Sequence, residues 1–131
     1  MKIAGIGVDL EPVASFRRRA LGQGKFQAFY RRIFSDKELN YCRAFRDPAP
    51  HLAVRFCAKE ALVKAANGSA SLLVTDAAIE NGRDGAPKLR ARSSKLRVRK
   101  FFQNHRVLVS LTHSKDLALA FVIVLRKRGE V

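Results

Sequence analysis

The segment Arg55-Phe56-Cys57-Ala58-Lys59-Glu60-Ala61-Leu62-Val63-Lys64-Ala65 holds neither glycine nor proline and is rich in strong helix formers, so it reads as helix. At about 3.6 residues per turn, Phe56, Leu62 and Val63 share a buried side. Glu60 and Lys64, four positions apart, stand one above the other on a neighbouring face. A carboxylate and an ammonium on so apolar a helix have two readings. One is a solvated intrahelical ion pair worth roughly 0.2–0.5 kcal/mol. The other is a pair of reactive groups aimed into one site.

Working outward, the helix is expected over residues 51–66, after the loop Asp47-Pro48-Ala49-Pro50 and before a stop at Asn67-Gly68. Ser35-Asp36-Lys37-Glu38 is a capping box that opens a helix to about Phe45. Residues 26–33 read as a short helix carrying Arg31 and Arg32. Pro12 suits a first helical turn, so a helix is expected from there to about Leu21, ending at Gly22 and Gly24 and carrying Arg17, Arg18 and Arg19. Residues 3–10 read as a first strand, with Gly5, Gly7 and Asp9 on one face and Ile6, Val8 and Leu10 on the other. Interior glycines often mark the close approach of a ligand or another backbone. Asp9 is therefore either a cap for the next helix or an acid at a strand end beside an open surface.

Downstream, residues 72–79 lean towards strand, residues 81–87 are dense in turn formers, and Lys88-Leu89-Arg90 can return as a short strand. Residues 93–104 form a basic helix. Residues 107–112 and 117–125 flank the tight turn His113-Ser114-Lys115-Asp116 and are expected to pair as an antiparallel hairpin.

A chain of 131 residues suits one domain with a real core, and 47% apolar content excludes global disorder. The longest apolar run, residues 117–125, is strand-sized and too short to span a membrane. Glycines and Asp9 interrupt the N-terminal apolar run, so no signal peptide is expected and the chain reads as cytoplasmic. Cys42 and Cys57 have no metal-ligand spacing and read as small buried residues. The net charge of +15, from 26 basic and 11 acidic residues, favours an acidic partner. Composition alone leaves open nucleic acid, a polyphosphate ligand, an anionic membrane or an acidic protein.

Three stretches together resemble the holo-(acyl carrier protein) synthase family, the small 4'-phosphopantetheinyl transferases. They are Gly5-Ile6-Gly7-Val8-Asp9-Leu10, the helix from Arg55 to Ala65, and Val109-Ser110-Leu111-Thr112-His113-Ser114-Lys115-Asp116. Phe34-Ser35-Asp36-Lys37-Glu38-Leu39 resembles a further family segment between the first two. The resemblance implies an α+β fold, with an antiparallel sheet and a prominent central helix, and a homotrimer with active sites at subunit interfaces. It also implies Mg²⁺-dependent transfer of 4'-phosphopantetheine from coenzyme A to a serine of an apo acyl carrier protein, with adenosine 3',5'-bisphosphate released.

On that resemblance Asp9 and Glu60 are the metal-binding acids, and the glycine face beside Asp9 leaves room for the diphosphate. Glu60 and Lys64 are catalytic. Lys64 offsets phosphate charge, and Arg55, Lys59, His113 and Ser114 join it in binding the coenzyme. A metal-associated water and Glu60 are both candidates to take the serine proton. Such a reaction needs positioning and charge neutralisation more than covalent help, and Mg²⁺ takes hard oxygen ligands. Arg17, Arg18 and Arg19 fall where the family docks its acidic carrier, but Ser15 stands where the family commonly has arginine. The glycine-rich loop after the central helix is altered to Asn67-Gly68-Ser69-Ala70-Ser71. The alternative is a basic RNA-binding or ribosome-associated module. Its charge clusters are present, but no RNP-type aromatic strand, zinc knuckle or GxxG loop accompanies them.

Overall fold

The computed structural model describes residues 1–20 and 25–128, without the side chains of residues 18–20, 25 and 26. The elements in order are β1 (Lys2–Pro12), α1 (Val13–Ala20), α2 (Lys25–Ile33), α3 (Asp36–Arg43), α4 (Ala49–Ala66), a 3-10 turn (Val74–Asp76), β2 (Ala77–Asn81), β3 (Pro87–Ala91), α5 (Leu96–Asn104), β4 (His105–His113) and β5 (Leu117–Arg126). The fold is α+β. One antiparallel sheet has the order β1-β5-β4, and β2 and β3 form a separate hairpin. The expected hairpin of the last two strands is present, and β1 lies along the other edge of β5.

Helix α4 packs across β1 and β5 because small residues meet there. A Cβ added at Gly5 would collide with the carbonyl of Ala65, and one at Gly7 with the carbonyl of Ala61. Ala118 and Ala120 of β5 are fully buried on the same side. The glycine face is therefore filled by the backbone of α4. This corrects the expectation that it leaves room for a diphosphate.

Helix α4 is also buried on more than the single side suggested by its spacing. Leu52, Ala53, Val54, Cys57, Ala58 and Leu62 are all buried, because α1, α3 and the β2–β3 hairpin cover the flanks that the sheet leaves free. Cys42 and Cys57 are free buried thiols, and burial pushes them up to about 11 and about 12.

Two boundaries differ instructively. Pro12 ends β1, opposite Leu117, rather than opening α1. An edge strand tolerates a residue without an N–H, and helix α1 begins at Val13, whose N–H donates to the carbonyl of Asp116. Residues 72–79 are not one strand. Buried Asp76 accepts from the N–H of Leu73 and from Arg97, bending the chain into the 3-10 turn before β2. The capping box forms as expected, with Ser35 Oγ accepting from the N–H of Glu38 and Glu38 Oε1 accepting from the N–H of Ser35. Residues 22, 24 and 129, where a helix end and a frayed tail were expected, lie outside the described residues.

The other face of the sheet is apolar and bare. Ile6, Val8, Leu10, Leu108 and Phe121 are exposed, Ile6 to 62%, and strand pairing places them on the side away from α4. Among the described residues no helix is long and apolar enough to cross a membrane.

Candidate functional site

Strand β1 and helix α4 bring Asp9, Glu60 and Lys64 together. Asp9 follows the glycines on the helix-facing side of β1, which the close approach of α4 leaves only 11% exposed at its side chain. The ammonium of Lys64 lies 3.1 Å from Asp9 Oδ1 and 3.0 Å from the carbonyl of Val8. Lys64 thus ties α4 to β1 instead of closing the intrahelical pair with Glu60 that its spacing suggested. Half of its side chain stays open to solvent. Asp9 Oδ2 is buried and receives no hydrogen bond. The carboxyl of Glu60 is raised above its ordinary value, by burial first and then by the charge of Asp9, with Lys64 opposing.

A third carboxyl belongs here that the motif reading passed over. Glu11 is raised by burial first, then by the charges of Asp9 and Glu60, while Lys64 opposes. Its signal was the spacing Asp9-Leu10-Glu11, because positions i and i+2 of a strand share a side.

A second group forms on another side of α4. Arg55 and Glu60 are five positions apart, about 140° around the helix axis. The guanidinium of Arg55 lies over the ring of Tyr41 at 4.2 Å and donates to Asn81 Oδ1 at 3.4 Å, and its buried Nε has no partner. It lines a cavity of about 310 Å³ with Tyr41, His51, Asn81 and Ser110. The ring of His51 stacks on Phe45 at 3.6 Å and meets His113 edge-on at 5.7 Å. Burial, then His113 and Arg55, hold the imidazole of His51 below its ordinary value. His113 ends β4 and meets His51, which lines the same cavity as Arg55. Ser114 Oγ accepts from the N–H groups of Asp116 and Leu117 and so holds the tight turn.

Lys59 is corrected outright. Its side chain is fully buried, its ammonium lies 2.7 Å from Glu38 Oε1, and it donates to the carbonyl of Ile33. It faces the core rather than a coenzyme phosphate and locks the capping box of α3 to α4. Burial outweighs Glu38 in lowering its affinity for the proton. Of the docking arginines, Arg17 is paired with Asp47 at 2.7 Å on the surface. The side chains of Arg18 and Arg19 lie outside the described residues.

Residues 5–122 match the family model described as the 4'-phosphopantetheinyl transferase superfamily. A curated holo-[acyl-carrier-protein] synthase of Syntrophotalea carbinolica is 37% identical over 123 residues, covering 92% of this chain and 94% of the relative. A crystal structure of the Bacillus anthracis holo-(acyl-carrier-protein) synthase in complex with CoA (3',5'-ADP) superposes with a TM-score of 0.74 at 25% identity, over 97% of this chain and all of that one. The Helicobacter pylori synthase in complex with coenzyme A gives a TM-score of 0.73 at 25% identity, over 91% and 98% of the two chains.

Proposed function

Since the chain belongs to the holo-(acyl carrier protein) synthase family of 4'-phosphopantetheinyl transferases, an enzyme family, we propose that it moves the 4'-phosphopantetheine arm of coenzyme A onto a serine of an apo acyl carrier protein with Mg²⁺. In that reaction the serine oxygen bonds to the phosphorus nearer the arm. The bond from that phosphorus to the bridging oxygen breaks, adenosine 3',5'-bisphosphate leaves with the electron pair, and the serine proton passes to Glu60 or to a water at the site.

The observation that carries this reading is Asp9, buried beside Glu60 and Lys64 with one carboxylate oxygen left unmatched. Hard carboxylate oxygens at a rim suit Mg²⁺, which takes one or two carboxylates together with substrate phosphates. Asp9 and Glu60 would hold it. Bound there, Mg²⁺ supplies neutralisation of the diphosphate charge. Lys64, anchored on the carbonyl of Val8 yet half-exposed, keeps a positive charge at the same rim to offset charge on the leaving phosphate. Arg55 and His113 bind the coenzyme's other phosphates, with the hydroxyl hydrogen of Ser114 still free to donate. The +15 charge favours an acidic carrier and speeds its encounter.

Asp9 sits on one edge strand and His113 on the other, while Arg55 leaves α4 on a different side from Glu60. A site built from both groups is completed by a neighbouring copy, and the bare apolar sheet face supports assembly into a homotrimer. The chain then acts as one domain per subunit, in the cytoplasm, where two free thiols are at home.

The test is intact-mass analysis of an apo acyl carrier protein incubated with the chain, coenzyme A and Mg²⁺. A phosphopantetheine-sized gain that vanishes with EDTA and in Glu60→Ala supports the reading. No gain with several carriers and folded protein overturns it.

A further inference from the structure

The end of the sheet away from Asp9 is crowded with cations. Lys2, at the start of β1, stands directly across from Arg126 of β5, and His105 of β4 closes the same row. In the next row Ile3 and Arg106 flank Leu125. Like charges set directly across a strand pair destabilise it. Gly5 lies under Ala65, near the end of α4, so Lys2 and Arg126 stand past the helix and are exposed. Met1, Lys2, Arg126, Lys127 and Arg128 line one pocket of about 360 Å³, and Lys127 and Arg106 carry the charge on into the groove beside β3.

Five cations therefore share this pole, Lys2, Arg106, Arg126, Lys127 and Arg128. None of them forms an ion pair among the described residues, where Arg17, Lys59, Lys64 and Arg97 each hold an acid. Aliphatic side chains are exposed among them, Met1 to 53% and Ile3, at the rim of the bare sheet face, to 68%. Cations for lipid headgroups beside aliphatic side chains for the acyl boundary are what a peripheral membrane contact uses. A single-stranded nucleic acid uses rings on which its bases stack, and the pocket at Met1 holds none. The pole lies about 20 Å along β1 from Asp9 and is separate from the transfer site.

We propose that this pole docks the chain on an anionic phospholipid surface, with Lys2, Arg106, Arg126, Lys127 and Arg128 on the headgroups and Met1 and Ile3 at the acyl boundary. The repulsion between Lys2 and Arg126 is relieved there, because lipid phosphates supply the counter-charge that the fold does not. Docking at this end leaves Asp9, at the far end of the strand, untouched.

The test is co-sedimentation of the full chain with vesicles of phosphatidylcholine, either alone or with about one part in three of phosphatidylglycerol. Wild type is expected to bind only the phosphatidylglycerol vesicles and to come off as salt rises. Lys2→Gln is expected to bind about fivefold more weakly, and Lys2→Gln with Arg128→Gln about twenty-five-fold. Lys37→Gln with Lys95→Gln removes the same charge at exposed positions elsewhere and is expected to stay close to wild type. Lys2→Glu sets opposite charges across the strand pair, so it is expected to melt no lower than wild type while binding vesicles less than Lys2→Gln does. A lower melting point in Lys2→Glu with vesicle binding intact makes Lys2 structural and overturns the docking role. Equal weakening by the Lys37 and Lys95 changes traces the binding to net charge alone and overturns it too. So does a wild type that retains a polyuridine oligomer but no vesicles, which gives the pole to nucleic acid. Carrier modification without vesicles is expected to be the same in Lys2→Glu and wild type. A loss there that matches the loss of vesicle binding makes the pole a carrier surface and overturns the lipid assignment.

Discussion

Asp9, Glu60 and Lys64 combine burial, charge and reach in a way that single substitutions can separate. Asp9→Asn keeps the shape of the side chain and removes a hard charged oxygen at the unmatched position. It is expected to lower carrier modification by about a hundredfold or more while leaving the melting temperature close to wild type, as read by mass analysis and calorimetry. Glu60 also sets a pH dependence. Its carboxyl is raised in the folded chain, so the fold binds that proton more tightly than the unfolded chain does. The stability this contributes is complete below the unfolded value near 4.5 and fades as pH rises through the folded value. Melting temperatures measured in EDTA should therefore fall across that window, less steeply in Glu60→Gln, and added Mg²⁺ should restore them at neutral pH. Lys59 belongs to a different kind of experiment. Lys59→Met strands the buried carboxylate of Glu38 and is expected to cost about 3–5 kcal/mol in urea unfolding.

At the scale of elements, β1 and α4 hold each other through absent side chains. Gly7→Ala pushes a methyl into the carbonyl of Ala61. The strand must then move off the helix, at an expected cost of about 1–3 kcal/mol by thermal unfolding. Activity should fall further than stability does, since Asp9 rides on the same strand. This contact also explains what sequence pattern revealed and what it hid. Helix α4 and the β4–β5 hairpin were legible because periodicity and turn residues are local. The glycine face was legible as a place of close approach, but alternation does not say whether a ligand or a helix approaches. Lys59 was misread because its partner, Glu38, lies 21 residues away and looked committed to a capping box. Reading Pro12 as a helix start ended β1 at Leu10, which took Glu11 off the face it shares with Asp9. A proline on an edge strand costs no ladder hydrogen bond, and that detail of pairing exists only in the folded sheet.

For the whole molecule, the dominant surface features are a large positive charge and one apolar sheet face. Val8 and Phe121 stand opposite each other on that face. The double change Val8→Lys and Phe121→Lys is expected to leave the monomer folded by circular dichroism. In sedimentation it should dissociate the proposed homotrimer, and transfer activity should fall with it. A doubly substituted chain that stays active as a monomer would show that one subunit carries a complete site. Carrier modification should also slow steeply with added salt, because the encounter between a basic enzyme and an acidic carrier is screened.

The separation of Asp9 and His113 on opposite edge strands, with Glu60 and Arg55 on different sides of α4, has a consequence for mixtures. In the proposed trimer, a subunit that lacks Asp9 would still offer Arg55 and His113 to its neighbour, and a subunit that lacks Arg55 would still offer Asp9 and Glu60. Asp9→Asn and Arg55→Ala proteins, each inactive alone, should therefore rescue one another once subunits exchange. Random equal mixing in a closed ring leaves about one interface in four with both halves intact. Two dead preparations combined would then recover roughly a quarter of wild-type activity per site.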